Sequence, residues 1–129
     1  LEELPPQITQ LINLEELGLS GNRLARLPDL SNLQALTLLP AFNNRLEVLG
    51  EWIGRLPQLS QLDVSNNQLT ELPDSIWNSP ALTFINVRAN RLSRLPEYRG
   101  PGANEADHPE LFVRGCHPQV QVIDVRENQ

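Results

Sequence analysis

Cys116 and His117 stand side by side, and Glu105, Asp107, His108 and Glu110 lie just upstream. A thiol beside an imidazole could make a nucleophile, and one cysteine with two histidines and carboxylates could hold zinc. Neither arrangement is well formed. A catalytic cysteine needs its base to face the sulfur, and neighbours on extended chain point to opposite sides. Zinc sites repeat their ligand pairs at fixed spacing, whereas here a single cysteine stands with two unevenly placed histidines. There is no glycine-rich phosphate loop, no G-x-S-x-G and no H-E-x-x-H. The residues therefore predict no enzyme: no catalytic residue, no metal site and no cofactor. A lone cysteine forms no internal disulfide, which favours a reducing, cytoplasmic setting.

Bulk properties narrow the partner class. The 129 residues carry a net charge of −6 with no basic stripe, which argues against nucleic acid. Apolar runs are only a few residues long, so membrane insertion is not expected. All ten basic residues are arginine. A GC-rich genome would give that bias, and so would selection against lysine in a protein working near ubiquitin ligases. Both explanations stand.

The elements that would position any site follow from an internal period. Leu14-Glu-Glu-Leu17-Gly-Leu19-Ser-Gly-Asn22-Arg-Leu24 has the form L-x-x-L-x-L-x-x-N-x-L. Leu59 to Leu69 and Leu82 to Leu92 repeat it, and Val120 to Gln129 fits up to its missing last leucine. In the second copy Leu33, Leu36 and Leu38 take the apolar places. On that reading three residues from Leu39–Phe42 are inserted before Asn44, at the end of a strand. The asparagines at 22, 44, 67, 90 and 128 are spaced by 22, 23, 23 and 38. The long last gap is one repeat plus an insertion, placed at 97–110 and rich in glycine, proline and acidic residues. That composition predicts an irregular, exposed loop. Between the repeats, Leu4-Pro5-Pro-Gln-Ile8 and Leu72-Pro73-Asp-Ser-Ile76 recur, and Ile8-Leu11-Leu14 and Ile53-Leu56-Leu59 set apolar residues three apart. This spacing suits a short helical or extended turn.

With these motifs the chain resembles the leucine-rich repeat family, in the 23-residue subclass with L-P-x-x-I in its variable half. The resemblance covers 1–96 and 117–129. It implies an α/β solenoid of about five repeats, with a short-stranded parallel sheet on the concave face and irregular or short helical turns on the convex face. It also implies that Asn22, Asn44, Asn67, Asn90 and Asn128 form a structural ladder that bonds the backbone of adjacent turns. The whole of 1–129 is read as one domain. It starts on Leu1 and stops in mid-repeat, which predicts a piece of a longer protein. Gly21-Asn-Arg-Leu-Ala-Arg-Leu-Pro28 is similar to a phrase in bacterial secreted effectors of the IpaH type, and the period is similar to that of Scribble-type scaffolds. The first kinship would place the chain inside a host cell.

Function in such a solenoid belongs to the outward strand residues. Two-residue alternation predicts these as Glu16, Gly18 and Ser20, then Ala35, Thr37 and Leu39, then Gln61, Asp63 and Ser65. Phe84, Asn86 and Arg88 follow, then Val122, Asp124 and Arg126. The first two sets look small and bland. Phe84 and Val122, with Asp63, Asn86, Arg88, Asp124 and Arg126 around them, make an apolar centre with a charged rim, the make-up of a protein-binding surface. The expected function is recognition of a protein partner through this C-terminal half of the concave face. The alternative is a repeat domain that targets or restrains a catalytic domain outside the chain, such as an effector ubiquitin ligase.

Overall fold

In the computed structural model, residues 1–93, 96, 122–124 and 128 are described. Four three-residue strands form one parallel sheet in chain order: β1 (Leu38–Pro40), β2 (Gln61–Asp63), β3 (Phe84–Asn86) and β4 (Val122–Asp124). The first repeat joins the sheet edge through a single parallel bridge between Glu16 and Leu38. It does not extend into a full strand because Pro40 has no N–H to give to the neighbouring backbone.

The register stacks like residues on like. Leu39, Leu62, Ile85 and Ile123 are aligned across β1 to β4. Leu39 and Leu62 are 0% exposed and Ile85 is 1% exposed. Leu36, Leu59 and Leu82 fill the row before them, and Leu24, Leu46, Leu69 and Leu92 the row after the asparagines, all buried. One repeat could not bury these side chains alone; stacked, each fully buried leucine contributes about 1.5–3 kcal/mol.

On the convex side, three 3₁₀ turns among the described residues cover the core: Pro6–Gln10, Glu51–Arg55 and Asp74–Asn78. Each starts from an extended residue, Pro5, Gly50 or Pro73. In such a turn residues three apart eclipse one another, so Ile53 and Leu56 face the same way, into the core. Ile8 packs more loosely against it. Trp52 and Trp77 close the convex surface, and the Trp77 indole N–H donates to the Pro96 carbonyl.

The second repeat differs from its sequence reading. β1 pairs Leu39, not Leu38, with Leu62, so Leu36, Leu39, Ala41, Asn44 and Leu46 occupy the standard places. No residues are inserted at its strand end. The irregularity lies on the convex side, where Leu27-Pro-Asp-Leu30 is one residue shorter than Leu72-Pro-Asp-Ser-Ile76 and forms no 3₁₀ turn. There Asp29 caps the bend instead: its Oδ1 accepts the Ser31 N–H at 2.9 Å. Bonding from the Ser31 hydroxyl and amide, with Arg55 further off, holds the Asp29 carboxyl below its ordinary value.

Candidate functional site: the concave face

Two hydrogen-bond ladders fix the backbone from which the concave side chains project. In the first, each asparagine amide spans two repeats. Asn67 Nδ2 donates to Val64 O in its own repeat at 2.9 Å and to Ala41 O in the preceding one at 3.1 Å. Its Oδ1 accepts the Leu46 N–H at 2.9 Å. Asn44, Asn90 and Asn128 repeat the cross-repeat pattern onto Leu19, Val64 and Val87, with Oδ1 on the N–H of Leu24, Leu69 and Leu92. Asn22 bonds Leu19 O, and its Oδ1 accepts from the Leu1 amine. These groups are satisfied by backbone, as buried amides must be.

Sequence reading passed over the second ladder. Thr37 Oγ1 donates to Glu15 O at 3.0 Å, Ser60 Oγ to Thr37 O at 3.2 Å and Thr83 Oγ1 to Ser60 O at 3.3 Å. The signal was a small hydroxyl one residue after Leu36, Leu59 and Leu82.

The outward residues fall into three columns across the sheet. The first runs Glu16, Leu38, Gln61, Phe84, Val122, and the second runs Pro40, Asp63, Asn86, Asp124. The third is Ser20, Phe42, Ser65, Arg88, kept in line by Phe42 N–H on Ser20 Oγ, Asn43 N–H on Ser65 O and Asn66 N–H on Arg88 O. Ala35 and Thr37 therefore leave the proposed outward set, and Leu39 points inward. The one-face-per-two-residues rule makes that consequence strict once the register moves.

Leu38, Pro40 and Phe42 take their places, so the early half of the face is apolar and not bland. Leu38 and Pro40 are half-buried and Phe42 is 36% exposed. With half-buried Phe84 and the buried Leu39 beneath, Leu38 and Pro40 line a shallow depression of about 160 Å³, whose other walls are Glu16, Gln61 and Asp63. The structure thus brings Phe84 and Asp63 together with Leu38 and Pro40. Asn86 and Arg88 lie in the neighbouring columns, where Asn86 Oδ1 accepts the Arg88 N–H at 3.0 Å. Asp63 forms the same local bond: its Oδ1 accepts from Ser65 N at 3.0 Å and from Ser65 Oγ at 2.6 Å. Val122 and Asp124 continue the columns by register, while Arg126, the 97–110 segment, Cys116 and both histidines lie outside the described residues. Among the described residues no group of His, Cys, Asp or Glu is placed to hold a metal ion, and no helix is long and apolar enough to cross a membrane.

Known proteins share this architecture. Family patterns described as leucine-rich repeat match residues 41–92 and 13–36. The chain is similar throughout its length to the solved structure of a leucine-rich repeat protein of Leptospira interrogans, with 28% identity and a TM-score of 0.79, and it spans 29% of that protein. A plant ice-binding protein shares the fold at 19% identity and a TM-score of 0.52, over 98% of this chain and 53% of the other. No curated protein sequence matches. The recurring leucines, the asparagine ladder, the family patterns and the solved relative agree: the chain belongs to the leucine-rich repeat family.

Proposed function

We propose that the chain is a protein-recognition module whose concave face seats side chains of a protein partner. The observation that carries this is the depression between Leu38, Pro40 and Phe84, an apolar floor with polar walls on a rigid backbone. Both ladders fix that backbone, so little conformational freedom is lost when a partner docks. Asp63 forms part of the depression's polar wall, Asn86 and Arg88 lie in the columns beyond it, and Val122 and Asp124 continue those columns by register. Glu16 of the first repeat and Leu38 and Pro40 of the second line the depression, so the proposed face is wider than the C-terminal half alone.

The test is affinity capture with the wild-type chain beside a Leu38→Ser/Phe84→Ala variant. Neither side chain is fully buried, so the variant should keep its far-ultraviolet circular dichroism and melt within a few degrees of wild type, about 1–2 kcal/mol less stable. Proteins retained by wild type and lost from the variant are the expected result. An identical captured set would remove the concave face from consideration.

A further inference from the structure

Among the described residues the charged side chains that line the concave depression, Glu16 and Asp63, are both acidic. The Asp63 carboxylate is already oriented, because Ser65 holds Oδ1 through both its amide and its hydroxyl. Among the described residues Oδ2 accepts no hydrogen bond. Leu38 and Pro40 present aliphatic surface beside it, and Phe84 an aromatic ring. A ligand matching these walls has an aliphatic stem, a planar cationic head and several N–H donors.

Arginine has that chemistry. Its methylenes can lie on apolar surface while its head stays polar. The guanidinium donates to carboxylates in a fixed fork and also stacks on aromatic faces, which the compact ammonium of lysine does less well. We infer that the depression is a socket for an arginine side chain of the protein partner, with the stem against Leu38 and Pro40 and the guanidinium between Asp63, Glu16 and Phe84. The inference rests on the concave face being the recognition surface. It adds which side chain the partner contributes. The chain's charge of −6 would draw a basic segment from a distance but would not orient it.

A random peptide display library selected on the whole chain tests this directly. Enriched peptides are then resynthesised and titrated against four proteins: wild type, Phe84→Ala, Asp63→Asn and Asp74→Asn. Asp63→Asn keeps an Oδ1 acceptor for Ser65, so the local turn survives; circular dichroism melting checks it. Asp74 lies on a convex 3₁₀ turn and controls for bulk charge. The expected peptides share an arginine next to apolar residues. They weaken about tenfold or more on Asp63→Asn, as loss of a charged hydrogen-bond partner implies, and hold steady on Asp74→Asn. Replacing their arginine by lysine also weakens them. If peptides weaken on Phe84→Ala yet lack arginine or ignore Asp63→Asn, the socket is wrong and the concave surface stands. Equal losses on Asp63→Asn and Asp74→Asn would reduce the effect to net charge and overturn the socket. Peptides indifferent to both Phe84→Ala and Asp63→Asn would remove the socket and the recognition surface together.

Discussion

The residues before Asn22, Asn44, Asn67 and Asn90 must turn the chain off the strand, and they do so in left-handed backbone. Gly21, Asn43, Asn66 and Ala89 have φ of 75°, 58°, 53° and 57°. Glycine and asparagine enter this region readily, whereas alanine meets its own carbonyl, at a cost of about 1–2 kcal/mol. Ala89 is therefore a local strain point that the asparagine ladder, through Asn90 on Val64 and Val87, holds in place. Ala89→Gly should relieve it. Glycine gives back part of the gain through unfolded-chain entropy, leaving a net stabilisation of about 0.5–1 kcal/mol. Urea denaturation would show this as a higher midpoint at unchanged slope, and a midpoint that falls would mean that the position is not strained.

Between elements, packing is tight on the convex side, where Glu51–Arg55 lies against Asp74–Asn78. Ser75 Oγ donates to Glu51 O at 2.7 Å, and a Cβ built on Gly54 would run into the Ser75 carbonyl. Backbone cannot give way as a side-chain tip can. Gly54→Ala should then cost about 1–3 kcal/mol and lower the melting temperature by about 3–10 °C. Gly18→Ala is the matched control: nothing lies within 4 Å of its added carbon, so its melting point should barely move. Similar losses in both would refute tight convex packing. This element scale is also where the sequence was least legible. The asparagines, the inward apolar residues of the first, third and fourth repeats and the outward places of Gln61 and Phe84 could be read from spacing alone. The second repeat could not, because Leu30, Leu33, Leu36, Leu38 and Leu39 satisfy the pattern in two registers three residues apart. Counting back from Asn44 selects Leu36, Leu39 and Ala41, but alanine is a weak apolar marker and Leu38 looked the better choice. That slip turned a buried Leu39 outward and concealed Leu38, Pro40 and Phe42, hence most of the depression. The hydroxyl ladder was hidden for another reason: Thr37, Ser60 and Thr83 look like ordinary surface residues until the strands are stacked.

Across the whole molecule, each repeat touches only its neighbours, so stability should be graded along the stack rather than uniform. β2 has paired strands on both sides, and Leu62 and Val64 are fully buried. In the first repeat Leu11 is 49% and Ile12 59% exposed, and the Leu17 and Leu19 amides donate to Leu38 O and Pro40 O at 3.2 and 2.8 Å beside one bridge rather than a full strand. Native-state hydrogen exchange should read this difference amide by amide. The Ala41 and Val64 amides, bonded to Asp63 and Asn86 carbonyls at 2.8 and 2.9 Å, should exchange only with near-global unfolding. The Leu11 and Leu14 amides should open locally, with a much smaller free energy. Adding low urea sharpens the contrast, since local openings expose little surface and respond weakly to denaturant. Equal protection at all four amides would mean that the stack opens as one unit. The first repeat would then be held as firmly as the inner ones, and the concave face would be rigid over its full length. A graded profile would place the firmest backbone at β2 and β3, beneath Asp63 and Phe84, where a partner's side chain needs the least adjustable walls.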